Sequence, residues 1–276
     1  MPATLDKTLG DQEEGAAAKA RLLISSPPRY FVLSMLGGAY VGIAVALLLA
    51  TAAAFMNGKN PGANLVKGSV FGVALTLVVF AGAELFTGVV PTMLQGLFAR
   101  RVRARDVAAV WAASWLGNLV GSLGFAAMAN ASGVFGSGPS STALSAMIHT
   151  KVALEPGQLF WRAVLCNFLV CLGLWMAARA TSDGAKLVVL WWSLLAFVAT
   201  GFEHSVANMT IFGLGIFGHV PDATVANLGT NLWWVTLGNI VGGGVLVGLA
   251  YAYTGRQPVA AFDDGLNDLH LAESAA

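Results

Sequence analysis

Charge is what this sequence has least of. Of 276 residues only 11% are Asp, Glu, Lys or Arg, while 57% are hydrophobic. A soluble domain carries roughly 25% charged residues, so the polar surface needed to cover a water-soluble globule of this length is missing. The same apolar excess excludes an intrinsically disordered chain. Cysteine is scarce as well. Cys166 and Cys171 lie five apart in one apolar run, which suits neither a disulfide within a helix nor a metal motif, and they read as buried thiols. A formal net charge of +1 leaves no basic field for nucleic acid. No short apolar core with a cleavage site is present near the start, so no secretory leader is expected.

What remains is an all-α polytopic membrane protein. A bilayer core of about 30 Å is crossed by roughly 20 apolar residues in a helix, and six such blocks run over residues 29–55, 63–99, 107–131, 158–180, 187–218 and 229–254. Residues 29–254 therefore read as one spanning domain, between a segment at 1–28 and an acidic, flexible tail at 255–276. Leu5, Leu9, Leu22, Leu23 and Ile24 in the first segment fit either an amphipathic helix on the membrane surface or a solvated tail. With both ends in the cytoplasm, the inner segments hold Lys7, Lys19, Arg21, Arg29, Arg100, Arg101, Arg103, Arg105, Arg179, Lys186 and Arg256. The outer segments then hold only Lys59, Lys67, Lys151 and Arg162, as the positive-inside rule requires.

Two blocks are too long and too interrupted for simple spans. The second contains Glu84 followed by Gly88 and Pro91; the fifth contains Gly201, Glu203 and His204. Gly and Pro interrupt helices, and irregular backbone at membrane depth is tolerated only inside protein or beside a wet cavity. Of the 14 acidic residues, Glu84 and Glu203 are the two inside apolar blocks, and His204 is the one histidine clearly within a span. Buried ionisable groups of this kind are functional candidates. The alternative for the glutamates is that they cap the broken half-helices, and for His204 simple packing.

The interruptions belong to a repeat. Glu84 is followed 34 residues later by Asn118 within Leu116-Gly117-Asn118-Leu119-Val120-Gly121; Glu203 is followed 36 residues later by Asn239 within Leu237-Gly238-Asn239-Ile240-Val241-Gly242. Each half holds three spans, so the second half is expected to be inverted in the membrane relative to the first. Inverted repeats with paired broken helices place a transport pathway near the midplane.

Glu84-Leu85-Phe86-Thr87-Gly88, Gly117-Asn118-Leu119-Val120-Gly121, Cys166-Asn167-Phe168-Leu169-Val170-Cys171 and Gly201-Phe202-Glu203-His204-Ser205-Val206-Ala207-Asn208-Met209, in this order, resemble the formate/nitrite transporter family over about residues 30–254. Trp191-Trp192-Ser193 and Trp233-Trp234-Val235-Thr236 look most like its nitrite branch. The resemblance implies an aquaporin-like six-span protomer with broken second and fifth spans, assembled as a homopentamer in the cell membrane with one pore per protomer and no cofactor. It also implies roles. His204 falls on the central pore histidine, Glu203 on its neighbour, and Thr87 on the threonine of the loop in the second span. Asn167 falls on the pore asparagine, and Lys151 on the lysine of the outer pathway, in the long loop before the fourth span. Phe71, Leu75 and Phe197 resemble the outer constriction, and Leu85, Phe86 and Val170 the inner one. Independently, Phe71 and Leu75 share a helix face by spacing, as do Phe197 and His204, though plain packing explains both equally.

The expected activity is passage of nitrite, a small weak-acid anion, with protons taking part at His204, whose unperturbed pKa of about 6.5 suits proton exchange. Lys151 would attract the anion, and Thr87 and Asn167 would offer neutral donors. The segment around Thr87 would be either a gate or a rigid re-entrant loop. Formate or hydrosulfide fits the same chemistry. A water or glycerol channel would carry paired Asn-Pro-Ala motifs, which do not occur. An enzyme or haem protein needs a nucleophile and base or paired axial ligands, and His149, His204, His219 and His270 supply only one histidine clearly inside a span.

Overall fold

Inside a bilayer no water takes up stray backbone N–H and C=O groups, so a chain this apolar is forced into helices. The computed structural model describes residues 1–255 and shows no strand among them. The expected tail beyond residue 255, with Arg256 and His270, lies outside the described residues. The helices are α1 (Leu5–Ser25), α2 (Pro27–Asn57), α3 (Ala63–Phe71), α4 (Val73–Thr76), α5 (Phe86–Phe98), α6 (Ala104–Ala131), α7 (Gly138–Val152), α8 (Pro156–Arg179), α9 (Asp183–Ala199), α10 (Ser205–Phe217), α11 (Val225–Ile240) and α12 (Ala250–Thr254). Wider π-helical turns occupy Leu77–Gly82 and Val241–Leu249.

Among the described residues, five segments are long and apolar enough to cross a membrane: Pro27–Asn57, Ala63–Gly82, Ala104–Ala131, Pro156–Arg179 and Val225–Thr254. The remaining apolar helices are shorter. The block expected at 63–99 divides into Ala63–Gly82 and α5, and the block at 187–218 into α9 and α10. Each division is made by a glycine in the left-handed region, Gly82 with φ of 81° and Gly201 with φ of 75°. A side chain there would be strained, so glycine ends one half-helix and lets extended backbone lead into the next.

Pro91 does not contribute to the break. It sits inside α5, as does Gly88, because the break ends at Leu85. What Pro91 does is withhold the N–H that would have bonded the carbonyl of Thr87 four residues earlier. Thr87 O is thereby freed and accepts instead from Asn167 Nδ2 at 3.2 Å and Cys171 Sγ at 3.2 Å, both on α8.

The first segment is a helix docked on the bundle rather than a solvated tail. Thr4 caps α1, Thr92 Oγ1 donates to Gln12 Oε1 at 2.8 Å, and Ala3 exchanges bonds with Arg179 through N to O at 2.8 Å and Nε to O at 3.0 Å. Leu9 packs in a buried cluster with Trp175, and Ala16 packs in one with Met93.

Glycine sets how closely the long helices approach. A methyl at Gly121 would run into the backbone carbonyl of Met35 on α2, and one at Gly242 into that of Val164 on α8. Such backbone contact is the small-residue packing expected between helices in lipid. A carbonyl within a helix cannot swing aside as a side chain can. Gly121→Ala and Gly242→Ala are therefore expected to destabilise the protein by about 1–3 kcal/mol each. Gly229→Ala, where nothing lies within 4 Å of the added methyl, is expected to be neutral. Thermal unfolding in detergent checks all three, and equal behaviour of the buried and open sites would contradict the packing account.

Candidate functional site

Each broken helix needs its free N-terminal donors satisfied, and an asparagine from a neighbouring helix does this in both halves. Asn118 Oδ1 accepts from Phe86 N at 2.8 Å, while its Nδ2 donates to Ser34 O at 2.6 Å and Glu84 O at 2.8 Å. Asn239 Oδ1 accepts from Ser205 N at 2.9 Å, while its Nδ2 donates to Ala163 O at 2.9 Å and Glu203 O at 3.1 Å. The backbone N–H groups of the two glutamates also match, Glu84 donating to Leu33 O and Glu203 to Arg162 O. At each break one cap is thus an asparagine amide, and the glutamate carboxylates are left for other partners.

Those partners are lysines. Lys151 Nζ lies 2.9 and 2.8 Å from the two oxygens of Glu203, and Asn208 Nδ2 donates to Oε2 at 2.7 Å. Lys151 belongs to α7, which replaces the long loop expected before the fourth span. Glu84 has its own lysine, Lys19 of α1, at 2.7 Å from both oxygens. Lys19 was not legible as a site residue: it lies in a polar segment that sequence alone leaves undecided between helix and tail. An intramembrane carboxylate needing a counter-charge was the available signal.

The two halves differ at the residue after each glutamate. Leu85 follows Glu84, whereas His204 follows Glu203. His204 Nδ1 accepts from Ala207 N at 3.1 Å and caps α10 from within the chain. An Nδ1 that accepts a backbone N–H carries no proton, so the neutral ring holds its proton on Nε2. That nitrogen faces Thr87 Oγ1 at 3.0 Å. Thr87 then accepts from His204 and keeps its own O–H free to donate. Thr87 is the second residue of α5 and not part of a loop, with its carbonyl locked by α8.

Two cavities lie near this contact, one reached by His204 and the other by Leu85 and Gly88, close to Thr87 in the chain. One, of about 290 Å³, lies beside α7 and is lined by Phe71, Lys151, Phe197, Glu203 and His204 among others. The other, of about 330 Å³, lies beside α1 and is lined by Lys19, Val78, Glu84, Leu85, Gly88 and Leu174 among others. Thr87 is fully buried and lines neither. Phe71 and Phe197 meet edge to face at 5.7 Å, and Phe197 stacks on His204 at 5.9 Å. No shared helix face brings Phe197 to His204, since the break lies between them; the turn at Gly201 folds one back on the other. Leu75, Phe86 and Val170 are buried in the same apolar cluster but line neither cavity. Asn167 has both amide hydrogens on backbone carbonyls, those of Thr87 and of Asn239 at 2.7 Å, so its geometry is that of a brace and not of a donor offered to a passing oxygen. Among the described residues no group of three or more His, Cys, Asp or Glu side chains could hold a metal ion.

A model of the family described as formate/nitrite transporter matches residues 6–253. The chain belongs to the formate/nitrite transporter family. It is 43% identical to the nitrite transporter NirC of Salmonella typhimurium, covering 89% of this chain and 90% of that protein. It is 37% identical to a probable formate transporter of Methanothermobacter thermautotrophicus over 90% of this chain and 97% of that one. Among solved structures, an ion channel of the family superposes with a TM-score of 0.84 at 42% identity, covering 90% of this chain and 98% of the other. A pentameric formate channel with formate bound gives a TM-score of 0.72 at 29% identity, covering 83% and 97%. Membership makes the chain a multi-pass membrane protein of a transporter family and not an enzyme.

The Lys151–Glu203 pair is the more enclosed of the two, with side-chain exposures of 12% and 5% against 26% and 12% for Lys19 and Glu84. Removing one partner of an enclosed pair leaves an uncompensated charge. Lys151→Met is expected to cost about 3 kcal/mol, and Glu203→Gln added to it is expected to restore most of that loss. Lys19→Met is expected to cost less, because water reaches Glu84 more readily. Unfolding temperatures of the four proteins check this order; no recovery in the double variant would contradict it.

Proposed function

We propose that the protein carries nitrite, or a similarly small monovalent weak-acid anion, across the cell membrane through a pathway that joins the two cavities past Thr87 and His204. The single observation that supports this best is the bond between those residues. It joins the tips of two broken helices at the wall between two cavities, each of which carries a Lys–Glu pair. Six spans, counted as α2, the broken pair of α3 to α5, α6, α8, the broken pair of α9 and α10, and α11 to α12, form two three-span repeats inverted about the membrane plane in an aquaporin-like protomer. The matching Asn118 and Asn239 caps support that symmetry. The pentameric relative supports assembly as a homopentamer in the lipid bilayer. Both ends lie in the cytoplasm, which makes the α7 side the outer one. The 43% identity to NirC, a nitrite transporter, favours nitrite over formate or hydrosulfide.

A bare anion faces a Born cost of order 20 kcal/mol in a low-dielectric slit. A weak acid avoids it by crossing as the neutral acid. Lys151 and Lys19 lower the cost of reaching the two ends. Phe71 and Phe197 on one side, and Leu85 with Val78 and Leu174 on the other, exclude water around the central pair. Between them the Thr87 O–H is the donor free to meet an oxygen, and the His204 Nε2–H becomes one when it leaves Thr87 Oγ1. A neutral ring that gives up its Nε2 proton must regain one in the same event, so His204 acts as a relay and not as a store. The incoming proton can enter at Nδ1 only when Ala207 N–H lets go.

His204→Asn separates the two jobs of this residue, since asparagine is a good N-cap but carries no ring proton route. It is expected to keep the folded oligomer and lose proton-coupled nitrite uptake into proteoliposomes, as His204→Phe is. Unchanged coupled uptake in His204→Asn would remove the relay role, and absence of any nitrite or formate uptake by the unaltered protein would remove the transport reading.

A further inference from the structure

We propose that Lys67 and Arg162 form a capture site for small monovalent anions in the α7-side cavity, so that the anion is gathered more effectively from that side than from the α1 side. The consequence for flux rests on the transport reading above; the capture itself does not.

Lys67, Lys151 and Arg162 line the α7-side cavity against a single carboxylate, Glu203. Lys151 spans both oxygens of Glu203, and Asn208 adds a third contact. Lys67 and Arg162 are half-buried and have no ion-pair partner among the described residues. Two uncompensated cations therefore face one semi-enclosed space. Arg162 is also held in register with the site, because its carbonyl accepts the N–H of Glu203.

The α1-side cavity is different. Its lining carries Lys19 against two carboxylates, Asp11 and Glu84. Lys19 is committed to Glu84, and Asp11 lies 3.0 Å from Lys7 Nζ. Among the described residues this lining has no cation left over. Two cavities built on the same Lys–Glu plan thus differ in net field, and the difference comes from Lys67 and Arg162. A cleft of one sign with low-dielectric walls raises the local concentration and the arrival rate of the opposite ion. The attraction fades as salt shortens the Debye length.

The test places a fluorophore at Thr150→Cys, which lines the α7-side cavity, and in a second protein at Gly15→Cys, which lines the other. Cys166 and Cys171 are buried and leave these labels specific. Quenching by iodide is compared with quenching by neutral acrylamide, with and without Lys67→Gln and Arg162→Gln together. At low ionic strength the double change is expected to lower iodide quenching at position 150 about 3-fold. It is expected to leave acrylamide quenching there unchanged, and to leave both quenchers unchanged at position 15. The iodide effect is expected to vanish at about 0.5 M salt, and Lys67→Arg with Arg162→Lys is expected to restore it. Iodide quenching that does not fall, that falls in parallel with acrylamide, or that persists at high salt would overturn the proposal. An iodide effect together with no nitrite flux in the unaltered protein would uphold the capture site while removing the transport reading; flux with no iodide effect would do the reverse.

Discussion

A helix interrupted at membrane depth leaves backbone donors and acceptors with no water to take them, and the rest of this protein is arranged around how Asn118 and Asn239 answer that problem. One amide closes two backbone groups at each break and anchors itself on a carbonyl of the neighbouring helix, Ser34 O or Ala163 O. Each such group left open would cost about 1–3 kcal/mol. The asparagines reach the breaks because Gly117, Gly121, Gly238 and Gly242 bring their helices into near contact with α2 and α8. Close packing and capping are therefore one constraint. The sharp bend at Gly82 or Gly201 is stable only where an asparagine stands ready beside it, and the asparagine is in reach only where glycine removes the side chain between helices.

On that shared scaffold the two halves carry unlike chemistry. One half places Leu85 after its glutamate and Thr87 two residues further; the other places His204 there. Their meeting at 3.0 Å makes one polar contact in an otherwise apolar wall, with its proton direction set by Ala207 N–H on the far side of the ring. Pro91 extends the same logic. By freeing the Thr87 carbonyl it ties α5 to Asn167 and Cys171 of α8, which in turn hold the hydroxyl against His204. Thr87 so braced fits a rigid segment better than a mobile gate.

Much of this was readable before the fold was known, and what was not has physical reasons. Length and apolarity mark the spans, and the recurrence of a glutamate followed by Leu-Gly-Asn marks both breaks, because those patterns are imposed by the bilayer itself. Whether Glu84 and Glu203 cap the breaks stays open in the sequence, since spacing places them beside the free N–H groups but does not show that a lysine competes for them. Lys19 lies in a polar segment whose apolar residues fit a helix or a tail equally, and docking on α5 and α8, a tertiary effect, decides between them. Pro91 read as a helix breaker because its usual effect is local, whereas here the freed carbonyl is used by another helix. The expected constriction residues are all buried, but Phe71, Phe197 and Leu85 line a cavity whereas Leu75, Phe86 and Val170 pack behind it. Hydrophobicity alone cannot distinguish the two.

The cap on α10, the bond to Thr87 and the relay all depend on the state of one ring, that of His204. Nitrogen-15 spectra of the histidine-labelled protein in lipid, with His204 identified by its loss in His204→Asn, report which ring nitrogen carries hydrogen. A neutral ring protonated on Nε2 and bare on Nδ1 at pH 7 is the predicted result, because Nδ1 holds Ala207 N–H. A ring protonated on Nδ1, alone or on both nitrogens, would contradict the cap, the direction of the bond to Thr87 and the relay built on them.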